Sequence, residues 1–130
     1  MGARVEITPG ARQLIEELRE QHGPLLFHQS GGCCDGSAPM CYPRLEFRIG
    51  SRDVLLGWVA DTPFFMGADQ FEFWKHTHLT VDVVPGRGSG FSVEAPHGVR
   101  FLIRSRVLSP EEINELGDPT VGPEALMEKS

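Results

Sequence analysis

At 130 residues and 14.4 kDa the chain has the size of one domain, too small for separate cofactor and catalytic domains. Hydrophobic residues at 40% exclude global disorder, and 15 Gly with 10 Pro exclude a bundle of long helices. A net charge of −6 excludes a general nucleic-acid binder, which needs a basic footprint.

Met1 to Ile7 lacks the apolar core of a signal peptide, and no apolar run is long enough to span a membrane, so a cytoplasmic location is expected. Thr8-Pro9-Gly10 opens a helix, with Thr8 as N-cap and Pro9 where a missing N–H costs nothing. Ala11, Leu14, Ile15 and Leu18 form its apolar stripe, and Gly23-Pro24 ends it. Leu25 to Gln29 reads as a short strand leading into a loop from Ser30 to Pro43. Leu45, Phe47 and Ile49 alternate with Arg44, Glu46 and Arg48, the pattern of a half-buried strand, with Val54 to Ala60 as its hairpin partner.

Phe64 to Gly67 is an apolar loop or short strand. Phe71, Phe73 and the segment Leu79 to Val84 suggest two more strands, with Leu79, Val81 and Val83 on one face. Gly86 to Gly90 is a turn, lacking the Lys-Ser/Thr and the following helix of a phosphate loop. Phe91 to Ala95 and Val99 to Val107 complete the sheet, and Ser109-Pro110-Glu111-Glu112 is a capping box that starts a short helix. The expectation is one α+β domain over residues 1–117 with a weakly structured tail over residues 118–130.

The chemistry centres on His28-Gln-Ser-Gly-Gly-Cys33-Cys34-Asp-Gly-Ser-Ala-Pro-Met-Cys41. All three cysteines of the chain share this Gly-rich loop, and in a reducing compartment that favours metal or thiol chemistry over a disulfide scaffold. Thiolates are soft ligands for zinc, copper(I) or iron–sulfur species. A buried cysteine that merely packs, or a Cys34–Cys41 disulfide, is the plainer alternative. Trp74-Lys75-His76-Thr77-His78 adds nitrogen donors: in an extended segment His76 and His78 project to one face. His28 enters the cysteine loop from a strand, whereas His97 and His22 read as turn and helix-end residues. The aromatic run Phe64, Phe65, Phe71, Phe73 and Trp74 reads as core, with a ligand pocket as the alternative.

The run HQSGGCCDGSAPMC, then FFMG and WKHTHLTVDVVPGRGSGFSVEAPHGVRFLIRSR, resembles an uncharacterised bacterial family (domain of unknown function 779). The resemblance implies gene company with acetaldehyde or aldehyde dehydrogenases, and hence an aldehyde or alcohol dehydrogenase as partner. A weaker resemblance is to the A-type iron–sulfur carriers of the HesB-like fold. It rests on Ile7-Thr8-Pro9-Gly10-Ala11, Gly31-Gly32-Cys33 and Gly90-Phe91-Ser92-Val93-Glu94-Ala95-Pro96. It implies a mixed, buckled β-sheet pseudobarrel and a ligand role for Cys33. Those carriers end in a Cys-Gly-Cys pair, where this chain reads Phe101-Leu102-Ile103-Arg104, so an iron–sulfur cluster ranks behind zinc, iron or copper.

The reading from sequence is therefore a small cytoplasmic metal-binding accessory protein, not itself a dehydrogenase. Its candidate ligands are Cys33, Cys34, Cys41, His28, His76 and His78. A thiol redox enzyme or sensor, and a small-molecule-binding or structural subunit, are the alternatives. Neither nucleic acid nor membrane is expected as a partner, while edge strands leave room for a homodimer.

Overall fold

The computed structural model describes residues 4–29, 38–86, 92–117 and 119–128. Strand β1 (Val5–Ile7) leads into helix α1 (Pro9–His22), followed by β2 (Leu25–Gln29) and β3 (Met40–Pro43). Next come β4 (Asp53–Val59), β5 (Thr62–Gly67), helix α2 (Ala68–Trp74) and β6 (Thr77–Pro85). The chain closes with β7 (Val99–Val107), helix α3 (Pro110–Leu116) and β8 (Thr120–Val121). The class is α+β.

The strands divide into two sheets, one ordered β1-β6-β7 and the other β3-β2-β5-β4-β8. Both are mixed: β1 runs parallel to β6 and β2 parallel to β5, while the other pairings are antiparallel. The sheets share one core. Leu79, Val81, Phe101 and Ile103 from the smaller sheet meet Phe27, Phe64 and Met66 from the larger. The Phe27 ring bridges them, edge-on to Phe101 at 4.9 Å and stacked on Phe64 at 5.6 Å. Each such fully buried side chain contributes about 1.5–3 kcal/mol relative to exposure. Helix α1 adds Ala11, Ile15 and Leu18 to the same core, as its apolar stripe predicts. The pseudobarrel implied by the carrier resemblance is not formed: the described strands make two separate ladders, not a closed one.

The outer face of the larger sheet carries a second, smaller apolar cluster of Leu55, Phe65 and Ala125, with Ile49, Trp58 and Leu126 packed against it. This cluster explains two differences from the sequence reading. Arg44 to Glu46 form a 3-10 turn, not the start of a strand. Residues three apart share a side of such a turn, so Arg44 and Phe47 turn inward and Leu45 is left 94% exposed. Residues 119–128 are also more ordered than expected. β8 pairs with β4, and a 3-10 turn over Pro123–Glu128 buries Ala125.

Phe71 and Phe73 lie on α2, not on a strand, so helical spacing turns Phe71 and Trp74 to the core and leaves Phe73 69% exposed. Residues 92–94 form no strand, touching β3 through a single backbone hydrogen bond from Val93 to Cys41, and lead into a 3-10 turn at Ala95–His97, where a strand was expected. Their polar side chains make other contacts, described below.

Candidate functional site

The β2–β3 hairpin sets the geometry around the cysteine loop. Its register pairs Phe27 with Cys41 and His28 with Met40, and alternate residues of a strand face opposite sides. Cys41 therefore points with Phe27 into the shared core, where it is fully buried. His28 points to the outer face of the same sheet. Cys33 and Cys34 lie outside the described residues.

His28 is 7% exposed, and its Nε2 donates to Oδ1 of Asp53 at 2.9 Å. The other Asp53 oxygen accepts the Gly50 N–H at 2.7 Å, which locks the carboxylate in place. The Phe47 ring sits 5.0 Å from the imidazole and stacks on Tyr42 at 4.9 Å. A carboxylate acceptor at this distance takes an N–H, so the imidazole carries a proton on Nε2. A carboxylate behind an imidazole in this way fixes tautomer and ring direction, as it does behind metal-bound histidines.

Cys41 lies in a different environment. Burial pushes its thiol pKa well above the usual value, and the nearby Glu94 carboxylate adds to the rise. Its backbone is held from the other side: Cys41 N–H donates to Ser92 Oγ at 2.9 Å, and Val93 N–H donates to the Cys41 carbonyl at 3.0 Å. Ser92 Oγ donates in turn to Glu94 Oε1, and Phe101 N–H donates to Glu94 Oε2 at 3.3 Å. A protonated thiol in this setting is a poor nucleophile.

The remaining histidines lie elsewhere. His78 is on the outer face of the smaller sheet, 5% exposed, with Nε2 3.6 Å from Oε2 of Glu6. Burial pushes its pKa down. His76 is exposed in the turn between α2 and β6, so the two histidines do not share an extended face. Among the described candidates, then, Cys41 and His28 face opposite sides of one sheet and His78 belongs to the other. Among the described residues, no three His, Cys, Asp or Glu side chains are close enough to share a metal ion.

Sequence reasoning missed Asp53, Ser92 and Glu94. Asp53 stands in a Gly-Ser-Arg-Asp stretch that signals only a turn, and nothing local marks Glu94 as 1% exposed.

No helix among the described residues is long and apolar enough to cross a membrane. No curated protein and no solved structure matches the chain. A family model described as a domain of unknown function (DUF779) matches residues 14–107, well over half of the sequence, and the chain belongs to that family.

Proposed function

We propose that the protein is a small metal-binding accessory protein whose ion, zinc, iron or copper, is held by Cys33 and Cys34 with His28. The observation that carries the reading is the His28–Asp53 hydrogen bond of 2.9 Å on the strand that enters the cysteine loop. It supplies an oriented histidine on the strand that precedes, in sequence, the two soft sulfur donors. Cys41 faces the core, and His76 and His78 lie on other elements, so the set is narrower than the six candidates. Delivering that ion to an aldehyde or alcohol dehydrogenase, or protecting the thiol of such an enzyme, is the accessory role the family resemblance implies.

Elemental analysis of protein purified without oxygen tests the site. Roughly one ion per chain is expected in the wild type and in Cys41→Ser, falling several-fold in Cys33→Ser, Cys34→Ser and His28→Asn. Asp53→Asn leaves every ligand in place but loosens His28, and a loss of about ten- to a hundredfold in affinity is expected. Occupancy below about 0.2 ion per chain in every wild-type preparation overturns the reading. A metal-free protein in which Cys33 or Cys34 alkylates fast at neutral pH replaces it with a thiol enzyme or sensor that uses His28 as the base.

A further inference from the structure

On the outer face of the larger sheet, the strap formed by residues 119–128 and the hydrogen bond that orients His28 meet at one residue, Asp53. Its carboxylate accepts the His28 Nε2–H at 2.9 Å, and its backbone carbonyl accepts the Gly122 N–H at 2.7 Å. The turn that carries this carboxylate lies against the strap: a Cβ built on Gly122 would stand 3.6 Å from the Ser51 carbonyl oxygen.

The sheet register repeats the link. His28 is beside Phe65, Phe65 beside Leu55, and Leu55 beside Thr120, one row across β2, β5, β4 and β8. Neighbours in such a row share a face of the sheet. Ala125 of the strap packs on Phe65 and Leu55, so the apolar floor next to the imidazole is covered by the strap.

The strap is held lightly for what it covers. β8 has two residues, paired with Val54 and Leu55, and Val121 is half-exposed. Gly122 turns the chain at φ 85°, Pro123 and Glu124 are exposed, and the methyl group of Ala125 is the strap's one fully buried side chain among the described residues. A segment held by so few apolar contacts opens before the sheet beneath it does. We infer that residues 119–128 are a releasable strap that regulates His28. Docked, it braces Asp53 and holds the imidazole in place; released, it frees the ring and uncovers Phe65 and Leu55 beside it. For an ion held by His28, a consequence that rests on the metal-binding reading above, release of the strap loosens one ligand and lets the ion pass on.

The coupling is measured in the metal-free full chain, independently of any ion. Two substitutions release the strap without touching Asp53. Ala125→Asp puts a charge into the buried cluster. Gly122→Ala, the milder change, puts a side chain at a positive φ with its Cβ 2.8 Å from Oε2 of Glu124, and serves if Ala125→Asp does not fold. Trp58 packs against this cluster while Trp74 belongs to the shared core, so a red shift in Trp58 emission reports release. The His28 Nε2 proton, followed by NMR, should then exchange with water about tenfold faster than in the wild type. From metal-loaded protein the ion should leave about tenfold faster. Release of the strap with unchanged His28 exchange overturns the inference, as does Trp58 emission that is unchanged in both variants. A wild type that never holds an ion defeats the metal-binding reading alone, and the exchange rate still decides the strap.

Discussion

The burial of single titratable side chains has consequences that follow from sign alone. His78 is nearly covered, and burial holds its imidazole pKa below the ordinary value. Glu6 pulls it up, Arg106 pushes it down, and Glu112 pulls it up, but none of these reverses the effect of burial. The unfolded chain binds a proton at this residue near pH ~6.5, whereas the folded chain binds it only at lower pH. In that window the unfolded state carries more protons, so His78 contributes stability above pH ~6.5 that is lost as the pH falls. Urea midpoints at about pH 7.5 and 5.5 should therefore drop less between the two conditions in His78→Gln than in the wild type. An equal drop in both proteins would assign the pH dependence to other groups. Glu112, which Arg106 holds at a pKa of about 2 through paired hydrogen bonds, acts at more acid pH. It is ionised across that whole comparison and does not confuse it.

At the scale of elements, the helix starts are the part most fully written in local sequence. Thr8 Oγ1 accepts the Ala11 N–H at 3.2 Å and donates to Oδ1 of Asp82 at 3.0 Å, so one hydroxyl caps α1 and ties it to β6. Thr8→Ala should cost about 1–2 kcal/mol in urea unfolding, since the cap and a bond to a charged partner go together, while Thr8→Ser should retain most of it. A Thr8→Ala variant as stable as the wild type would show that Pro9 and the apolar stripe suffice to start the helix. The Ser109 capping box is equally legible: Ser109 Oγ accepts the Glu112 N–H, and the Glu112 carboxylate accepts the Ser109 N–H. β6 and β7 were also readable, because Leu79 with Val81 and Phe101 with Ile103 sit two apart on the core face of each. Two of the misreadings share one cause. Leu45, Phe47 and Ile49, like Phe71 and Phe73, sit two apart in sequence, yet their burial follows a spacing of three, Arg44 with Phe47 and Phe71 with Trp74. Short apolar runs do not distinguish the two periods, and only the neighbouring sheet face decides which side chains turn inward. For the candidate site, the sequence identified the entry of His28 into the cysteine loop. It did not show that Asp53 would orient that ring, because the contact joins strands separated by β5 in the sheet order.

For the molecule as a whole, the open question is what joins two sheets that share a core but no ladder. Phe27 and Phe101 do so through apolar contact, and Ser92 with Glu94 do so through hydrogen bonds. β3 is at the edge of the larger sheet and β7 at the edge of the smaller, each with one side unpaired by a strand. Ser92 takes the outward N–H of Cys41 on β3, and Glu94 takes the outward N–H of Phe101 on β7. The short bond between Ser92 and Glu94 completes a polar clasp across the open side. Truncating Glu94 leaves the Phe101 N–H and the Ser92 hydroxyl buried without that acceptor, at about 1–3 kcal/mol each. Glu94→Ala should therefore lower the unfolding free energy by about 2–6 kcal/mol, with a small further loss from the cavity. Glu94→Gln keeps the shape and one acceptor oxygen, so less than half of that loss is expected from it. If Glu94→Ala unfolds within about 0.5 kcal/mol of the wild type, the clasp adds nothing and the shared apolar core holds the sheets together.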